Sequence, residues 1–468
     1  MQDIIFREYD IRGKVGSELI VEQAYDLARA IAYYFVSKSP TTQRVAVGMD
    51  GREHSPAIKQ EVCRALQDSG LDVVFVGVCP SPVLYFSLHT QGVDAGIMIT
   101  ASHNPKEYNG LKICLGTTSV WGTQIKEIAA LFRQKKSVQA QRQGLYQEKL
   151  LVDTYVQWMV EHFASLRGSS ISAVIDCGNG AGAAVIPQLI KQMGWSQVKS
   201  ICDTIDGSYP NHEADPVVPA NMKDVKEYLA TTDTMLGIGL DGDADRMAPM
   251  SKNGYLVPGD ELLALFAQSV LEKNPGLAIV CDIKSSLGLV QMVEKVGGRA
   301  CMAPAGHAII KEHMRAEKAM LGGEVSCHFI FADRYFGYDD GIYAMMRLFE
   351  LLQDSAQTLE GLLIEYPHLY SSPEFRIACD EDKKAVVIAR VKDYFAQKPG
   401  VSLVTVDGVR ANFDDCWGLI RASNTQPVVS IRFEAKTMEL FEQMRQDFIF
   451  ILHTSIDVSR LHSYRVNA

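Results

Sequence analysis

At 468 residues the chain exceeds what one hydrophobic core supports, and about three or four domains are expected at ~150 residues each. Hydrophobic residues at 47% and charged residues at 22% are ordinary for a soluble globular chain and exclude a disordered or membrane-spanning class. The net charge of −10 is spread along the sequence without a basic cluster, which excludes a nucleic-acid partner and leaves any anionic ligand to particular Arg, Lys or backbone N–H groups.

Phe6-Arg7-Glu8-Tyr9-Asp10-Ile11-Arg12-Gly13 opens the chain, and an amphipathic helix fits residues 21–37, ending before Pro40. Residues 44–49 read as a strand running to Asp50. Ser55-Pro56 then starts a helix to Ser69-Gly70, with serine as N-cap, proline at N1 and glycine past the end. Residues 73–76 give a second strand. The apolar run Ala95-Gly96-Ile97-Met98-Ile99 is a short buried strand that empties into Thr100-Ala101-Ser102-His103-Asn104-Pro105. Strand ends in α/β proteins carry chemistry and Asn104-Pro105 turns the chain, so the Ser102 hydroxyl is expected at a fixed, partly exposed corner. Taken alone, the segment also reads as a polar turn with a capping serine.

Residues 133–149 are polar and weakly patterned, a connector ahead of a helix over residues 151–165. The strand-to-aspartate pattern then recurs. Ala173-Val174-Ile175 meets Asp176 before a helix near 183–193, and Ala278-Ile279-Val280 meets Asp282 before a helix near 287–296. Second strands follow at 198–202 and 299–302. A recurrence at roughly 100 residues implies three related α/β lobes. Past a linker near Pro367 to Pro373 the order changes to strand 374–378, helix 383–395, strands 402–406, 416–421 and 428–434, and helix 438–452. Consecutive strands joined by short turns imply an antiparallel α+β lobe.

Within this frame, a strand-like run over residues 234–240 empties into Asp241-Gly242-Asp243-Ala244-Asp245-Arg246. Two such carboxylates ~4 Å apart repel by about 4 kcal/mol at an effective dielectric near 20, so a converging set needs a cation or protonation. All-oxygen ligands suit Mg²⁺. A calcium-binding helix-loop-helix is excluded, because Arg246 stands where that loop needs glycine and Lys252 where it needs glutamate. A solvated acidic turn remains the alternative.

Gly322-Gly323-Glu324-Val325-Ser326-Cys327-His328 puts a carboxylate, a hydroxyl and an imidazole on alternate positions, which share a face in extended chain. Such a set offers Glu324 and Ser326 to sugar hydroxyls and His328 to a proton, and an ordinary turn with one partnered histidine fits as well. Arg421-Ala422-Ser423-Asn424-Thr425-Gln426-Pro427 has the composition of a phosphate cradle, or of a capped hairpin turn. Gly178-Asn179-Gly180-Ala181-Gly182 misses the dinucleotide-loop spacing, and close helix–strand packing is the expected use of its glycines. No G-x-S-x-G or Walker lysine motif appears, which counts against a serine hydrolase and a P-loop kinase. Ten scattered cysteines without a C-x-x-C pair read as reduced thiols, and neither a leader-like N-terminus nor an apolar run of ~20 residues appears. A cytoplasmic protein is expected.

Together, T-A-S-H-N-P at 100–105, D-G-D-A-D-R at 241–246, G-E-V-S-C-H at 323–328 and R-A-S-N-T at 421–425 resemble the α-D-phosphohexomutase superfamily. Tyr9-Asp10-Ile11-Arg12-Gly13, Ala305-Gly306-His307 and Phe336-Gly337-Tyr338-Asp339-Asp340-Gly341 make the chain most similar to its bacterial phosphomannomutase/phosphoglucomutase group. The resemblance implies an α/β molecule of four domains around a central cleft. These are an α/β domain over 1–147 with a phosphoserine loop, one over 148–254 with a metal-binding loop and one over 255–368 with a sugar-binding loop. An α+β phosphate-binding domain over 369–468, like the TATA-box-binding-protein fold, completes the set.

The resemblance further implies interconversion of hexose 1-phosphate and hexose 6-phosphate, for mannose and glucose, through a phosphoserine and a 1,6-bisphosphate. Glucose or mannose 1,6-bisphosphate is the expected activator. Ser102 would be the phosphoserine and complete a Mg²⁺ site formed by Asp241, Asp243 and Asp245. Arg12, Lys112, Arg246 and His328 would serve catalysis, and Tyr9, Lys284 and His307 would contact substrate. Glu324 and Ser326 would hold sugar hydroxyls, and Arg421, Ser423, Asn424 and Thr425 the phosphate not being transferred. Phosphohexoses are the expected partners of a monomer, with neither nucleic acid nor membrane. Ala244 stands where glycine is usual, and Cys327 where glycine or alanine is expected. Phosphoglucosamine mutase, in which glutamine replaces Val325, is the alternative activity, and a silent sugar-phosphate sensor would be favoured by a lost serine or aspartate.

Overall fold

Three strands that each lead to an aspartate, Arg44–Met49, Ala173–Asp176 and Ala278–Asp282, head three sheets of one design in a computed structural model describing residues 1–423 and 427–462. Each lies between two parallel neighbours. These are Asp72–Val78 and Ala95–Ile99 in the first lobe, Val198–Ile201 and Leu236–Leu240 in the second, and Arg299–Ala303 and Leu321–Gly323 in the third. In the first two lobes an antiparallel strand, Tyr108–Leu115 or Met247–Ser251, follows beside the third strand. The recurrent aspartate has one job throughout. Asp50 accepts the Arg52 amide at 3.0 Å, Asp176 the Gly178 amide at 2.8 Å and Asp282 the Lys284 amide at 2.7 Å, so each closes the turn that ends its strand.

In every lobe the third strand delivers a loop that carries candidate site residues. Ala95–Ile99 leads to Ser102, Leu236–Leu240 to Asp241 and Leu321–Gly323 to Glu324. All three strands are buried along their whole length, as strands covered on both faces must be.

Several helices were not visible in the sequence pattern. Ser81–Thr90 is buried through Leu88, and Gly259–Lys273 and Gly341–Ser355 bury most of their length, so no polar face marks the helical period. The helix begun at Ser55 also differs from expectation: His54 is its N-cap, and the Ser55 hydroxyl instead donates to Asp50 Oδ1 at 2.7 Å.

The last lobe is an antiparallel sheet covered by Glu381–Phe395 and Met438–Leu452, with Phe395, Phe433 and Phe448 in its core. A strand over Val409–Asn412, entered from Gly408 at φ +80°, lies between those expected.

The chain forms two compact units, Met1–Pro258 with Ser326–Gly361, and Gly259–Val325 with Leu362–Ala468. Within the second, the loop after Ala278–Asp282 is fastened to the last lobe. Buried Arg410 stacks on Trp417 at 3.7 Å and donates to the Ile283 carbonyl at 2.8 Å and to that of Ser285. Arg432 donates to the Lys284 carbonyl at 2.8 Å, and Glu434 accepts from the Ser286 hydroxyl at 2.9 Å and the Leu287 amide at 2.8 Å. Among the described residues no helix is long and apolar enough to cross a membrane.

Candidate active site

Ser102 sits at the corner that its strand predicts, at φ +51° and almost fully buried. Its amide donates to Thr100 Oγ1 at 2.9 Å and its hydroxyl to Asp241 Oδ2 at 2.8 Å, with His103 Nδ1 3.1 Å from the same oxygen. Burial depresses the His103 pKa well below the ordinary imidazole range, and the Arg246, Arg12 and His328 charges add to the effect. Arg12 reaches the loop by donating to Asn104 Oδ1 at 2.9 Å while paired with Asp10. Tyr9 lies half-buried in the bend just before.

The serine loop and the acidic loop touch backbone to backbone: a Cβ on Gly242 would collide with the Ser102 carbonyl oxygen. The glycines after Asp176 serve the same approach. A Cβ on Gly180 would stand 2.7 Å from the Gly242 carbonyl oxygen, and the Ala181 amide donates to that oxygen at 2.9 Å. These glycines therefore pack against the acidic loop and against Leu240 at the end of the strand that leads to it, rather than between a helix and a strand.

Asp241, Asp243 and Asp245 are wholly buried, and one oxygen from each lies within 4.8 Å of the others. Lys112 Nζ bonds Asp243 Oδ2 at 2.6 Å and also Asp245, and Ser81 donates to Asp243. Arg246 pairs with Asp241 at 3.2 Å and Asp215 at 3.0 Å. Burial pushes the Asp241 carboxyl up to about 7, Asp245 adds to the rise, and Arg246 opposes it. Burial disfavours the Lys112 ammonium, yet Asp243 and Asp245 outweigh that and hold its pKa above the ordinary lysine range. Asp243 Oδ1 is buried and has no hydrogen-bond partner among the described residues. An orphaned buried carboxylate oxygen within an all-oxygen set fits a hard divalent cation, and Ser102 Oγ is placed to join that set.

His328 completes this group, its Nε2 3.4 Å from Asp245 Oδ1 and its Nδ1 3.2 Å from Ser326 Oγ. The shared-face expectation for residues 324–328 fails because the segment is a turn, with Cys327 at φ +68°. Ala244 has φ +55°. Both positions where glycine or another small residue was expected are thus left-handed, which explains that preference and makes the side chains present a local strain.

In the second unit, Glu324 Oε1 accepts the Gly306 amide at 2.6 Å at the start of the helix His307–Glu317, which His307 opens. Lys284 Nζ stands 3.6 Å from Glu374. Burial works against the Glu374 carboxylate, but Lys284, the Ser430 hydroxyl and Arg421 outweigh it and hold its pKa below the usual range. Lys284 and Arg421 therefore bear on one carboxylate. Arg421 also pairs with Asp407 at 2.8 Å, and buried Lys384 donates to the Ser423 carbonyl at 2.8 Å. Asn424 and Thr425 lie outside the described residues.

Sequence reasoning missed Arg52. It is 1% exposed, bonds Asp50 at 3.2 Å, and donates to the carbonyls of Ser102 at 2.7 Å, Asn104 at 2.6 Å, Pro105 at 2.8 Å and Tyr108 at 3.1 Å. This one guanidinium fixes the path of the serine loop. The available signal was Asp50-Gly51-Arg52 directly after a strand.

Four family profiles match the chain in order. "Phosphoglucomutase/phosphomannomutase, alpha/beta/alpha domain I" covers residues 3–139, domain II 153–254, domain III 258–370 and the C-terminal domain 374–449. A Pseudomonas putida phosphomannomutase/phosphoglucomutase is 38% identical over 449 residues, 96% of this chain and 95% of that one. A Neisseria meningitidis phosphoglucomutase is 38% identical over 455 residues, covering 96% and 97%. The crystal structure of a phosphoglucomutase/phosphomannomutase family protein from Burkholderia thailandensis matches with TM-score 0.89 at 34% identity, over 97% of this chain and 98% of that one.

Proposed function

The chain belongs to the phosphoglucomutase/phosphomannomutase family, and from that premise we propose that it interconverts the 1-phosphates and 6-phosphates of glucose and mannose through a phosphoserine at Ser102. The observation that carries this reading is the Ser102 hydroxyl, 2.8 Å from Asp241 at the edge of a buried carboxylate trio. A sugar hydroxyl oxygen attacks the phosphorus in line, the bond to Ser102 Oγ breaks, and a hexose 1,6-bisphosphate results. Mg²⁺ held by Asp241, Asp243, Asp245 and Ser102 would offset the charge of the transferring group. His328 takes the proton of the attacking hydroxyl, Lys112, held as an ammonium by Asp243 and Asp245, offsets charge at the acidic loop, and Arg12 and Arg246 hold the serine and acidic loops. The bisphosphate then turns end for end and returns its other phosphoryl group to Ser102. Arg421, Ser423, Asn424 and Thr425 bind the idle phosphate, Glu324 and Ser326 the sugar hydroxyls, and Tyr9, Lys284 and His307 complete recognition. A hexose 1,6-bisphosphate is the activator, since a dephosphorylated serine needs one to enter the cycle.

The same reading makes the protein a cytoplasmic monomer of four domains with boundaries at 147, 254 and 368. Glu324 and Ser326, if they grip O3 and O4, hold positions that glucose and mannose share, so the C2 difference is weakly read. The expected kcat/KM values for the two 1-phosphates lie within about two powers of ten, a gap under ~3 kcal/mol. Glucosamine 1-phosphate is expected to be poorest. A strong preference for it would make the chain a phosphoglucosamine mutase, and no turnover of any of the three would favour a silent sensor.

A further inference from the structure

The second lobe carries a mixed donor cluster separate from the carboxylate trio. Asp176 ends one strand, Cys202 follows the parallel strand Val198–Ile201, and His212 closes the loop that leaves Cys202. One ligand-capable atom from each lies within 4.8 Å of the others. His212 Nε2 is 3.0 Å from Asp176 Oδ2 and 3.9 Å from Cys202 Sγ, while its Nδ1 faces the Glu213 carbonyl oxygen at 3.0 Å.

A carbonyl oxygen only accepts, so Nδ1 carries the ring hydrogen. In a neutral ring that leaves the Nε2 lone pair aimed at a carboxylate oxygen, acceptor against acceptor. The conflict is relieved by a cation at Nε2, either a proton or a metal ion. A proton at Nε2 would be given mainly to Asp176 at 3.0 Å and would leave the Cys202 sulfur only a long contact at 3.9 Å. A tetrahedral zinc-like ion with S at ~2.3 Å and N and O at ~2.0 Å needs S···N near ~3.5 Å and N···O near ~3.3 Å. The observed 3.9 Å and 3.0 Å stand close to those values. The supporting shell is also built: a backbone carbonyl orients the imidazole, and the Gly178 amide engages the other Asp176 oxygen at 2.8 Å.

We propose that Asp176, Cys202 and His212 bind a divalent cation of the zinc class, which ties both ends of the 203–211 loop to the strand end. A thiolate ligand disfavours Mg²⁺, so this site and the all-oxygen trio select different ions. The tied loop matters to the serine. It carries Tyr209, whose ring faces the Arg52 guanidinium at 5.2 Å, and Ile205, which fills the space a Cβ on Gly51 would need. The ion thereby braces the residue that clamps the Ser102 loop.

The test uses the full-length, freshly reduced protein in excess Mg²⁺, which occupies the all-oxygen trio, titrated with Co²⁺. The expected result is a thiolate-to-metal charge-transfer band that saturates at one equivalent, is abolished by Zn²⁺, and is absent in Cys202→Ser. His212→Gln should weaken Co²⁺ binding by about tenfold or more, and Zn²⁺ should raise the Tm of the parent protein but not of Cys202→Ser. Both side chains are partly exposed, so both variants are expected to fold, which their Tm without added metal checks. No band in the parent protein, the same band in Cys202→Ser, or unchanged affinity in His212→Gln would each overturn the site and leave a His212–Asp176 ion pair beside a bystander thiol.

Discussion

One Asp243 oxygen is buried with no hydrogen-bond partner among the described residues, and its other oxygen is shared between Lys112 and Ser81. Asparagine keeps its shape but gives up the charge that a hard cation needs. Asp243→Asn is therefore expected to fold normally, to lose about two powers of ten or more in turnover, a barrier change of ~3 kcal/mol, and to respond weakly to Mg²⁺. Turnover titrated against Mg²⁺ checks this, and an unchanged Mg²⁺ response would remove Asp243 from the metal site. Ser102 and the three aspartates were legible in the sequence because each sits within a few residues of a strand end, where chain-local pattern and chemistry coincide. Arg52 was not, because Asp50-Gly51-Arg52 after a strand marks only its starting point, while its role is defined by the carbonyl oxygens of residues 102–108, far along the chain. The left-handed backbone of Ala244 and Cys327 was hinted at only by the preference for small residues there.

A loop is only as fixed as the elements behind it, and the serine loop depends on Arg52 for four of its carbonyl bonds. Arg52→Met fills similar volume but leaves Asp50 buried without its charge partner, which costs on the order of 3–5 kcal/mol. The expected outcome is a lower unfolding midpoint in urea, together with lost hydrogen-exchange protection over residues 100–110. Protection unchanged there would mean that the loop holds itself. The helix Gly341–Ser355 offers a second test, through pH. Its N-cap Asp340 accepts from the Tyr343 amide at 2.8 Å and from the hydroxyls of Tyr155 at 2.8 Å and Tyr335 at 2.7 Å. Burial nevertheless pushes its carboxyl up to about 6 from 3.8. Between these values the folded state holds a proton that the unfolded chain has released, so this group lowers stability as pH rises through the window. The cost reaches about 3 kcal/mol above pH ~6, at about 1.4 kcal/mol per pH unit. Asp340→Asn keeps an oxygen to cap the helix and removes the titration, so its stability should fall less than the parent's between about pH 4 and about pH 7. Parallel pH profiles of the two proteins would dismiss a buried titrating cap. This helix escaped the sequence reading because burial is unbroken from Gly341 to Phe349, so its first half shows no polar face.

At the scale of the whole molecule, a small terminal lobe beyond the linker near Pro367 to Pro373 is the natural part to close over a substrate. The second unit argues otherwise from its buried polar contacts. For the last lobe to swing away from the loop after Ala278–Asp282, Arg410 must give up the Ile283 and Ser285 carbonyls, Arg432 that of Lys284, and Glu434 the Ser286 hydroxyl and Leu287 amide. Stripping a buried guanidinium of its partners costs several kcal/mol, and these groups would be exposed together. Any substrate-linked motion is therefore expected to carry residues 259–325 and the last lobe as one body. The linker near residue 367 was legible as a break in pattern, but the clasp was not, because Arg410 lies on a strand that the sequence did not reveal. Arg410→Met tests the clasp, since methionine retains part of the packing on Trp417 while abolishing both carbonyl bonds. Amides of residues 283–288 are expected to exchange about tenfold faster or more in the variant, and KM for the sugar phosphate to rise, because Lys284 lies in the released loop. In the parent protein, the strand Cys416–Ala422 and residues 283–288 should lose protection at one common denaturant concentration. If residues 283–288 opened well before that strand, or exchanged no faster in Arg410→Met, the last lobe would be a separate mover after all.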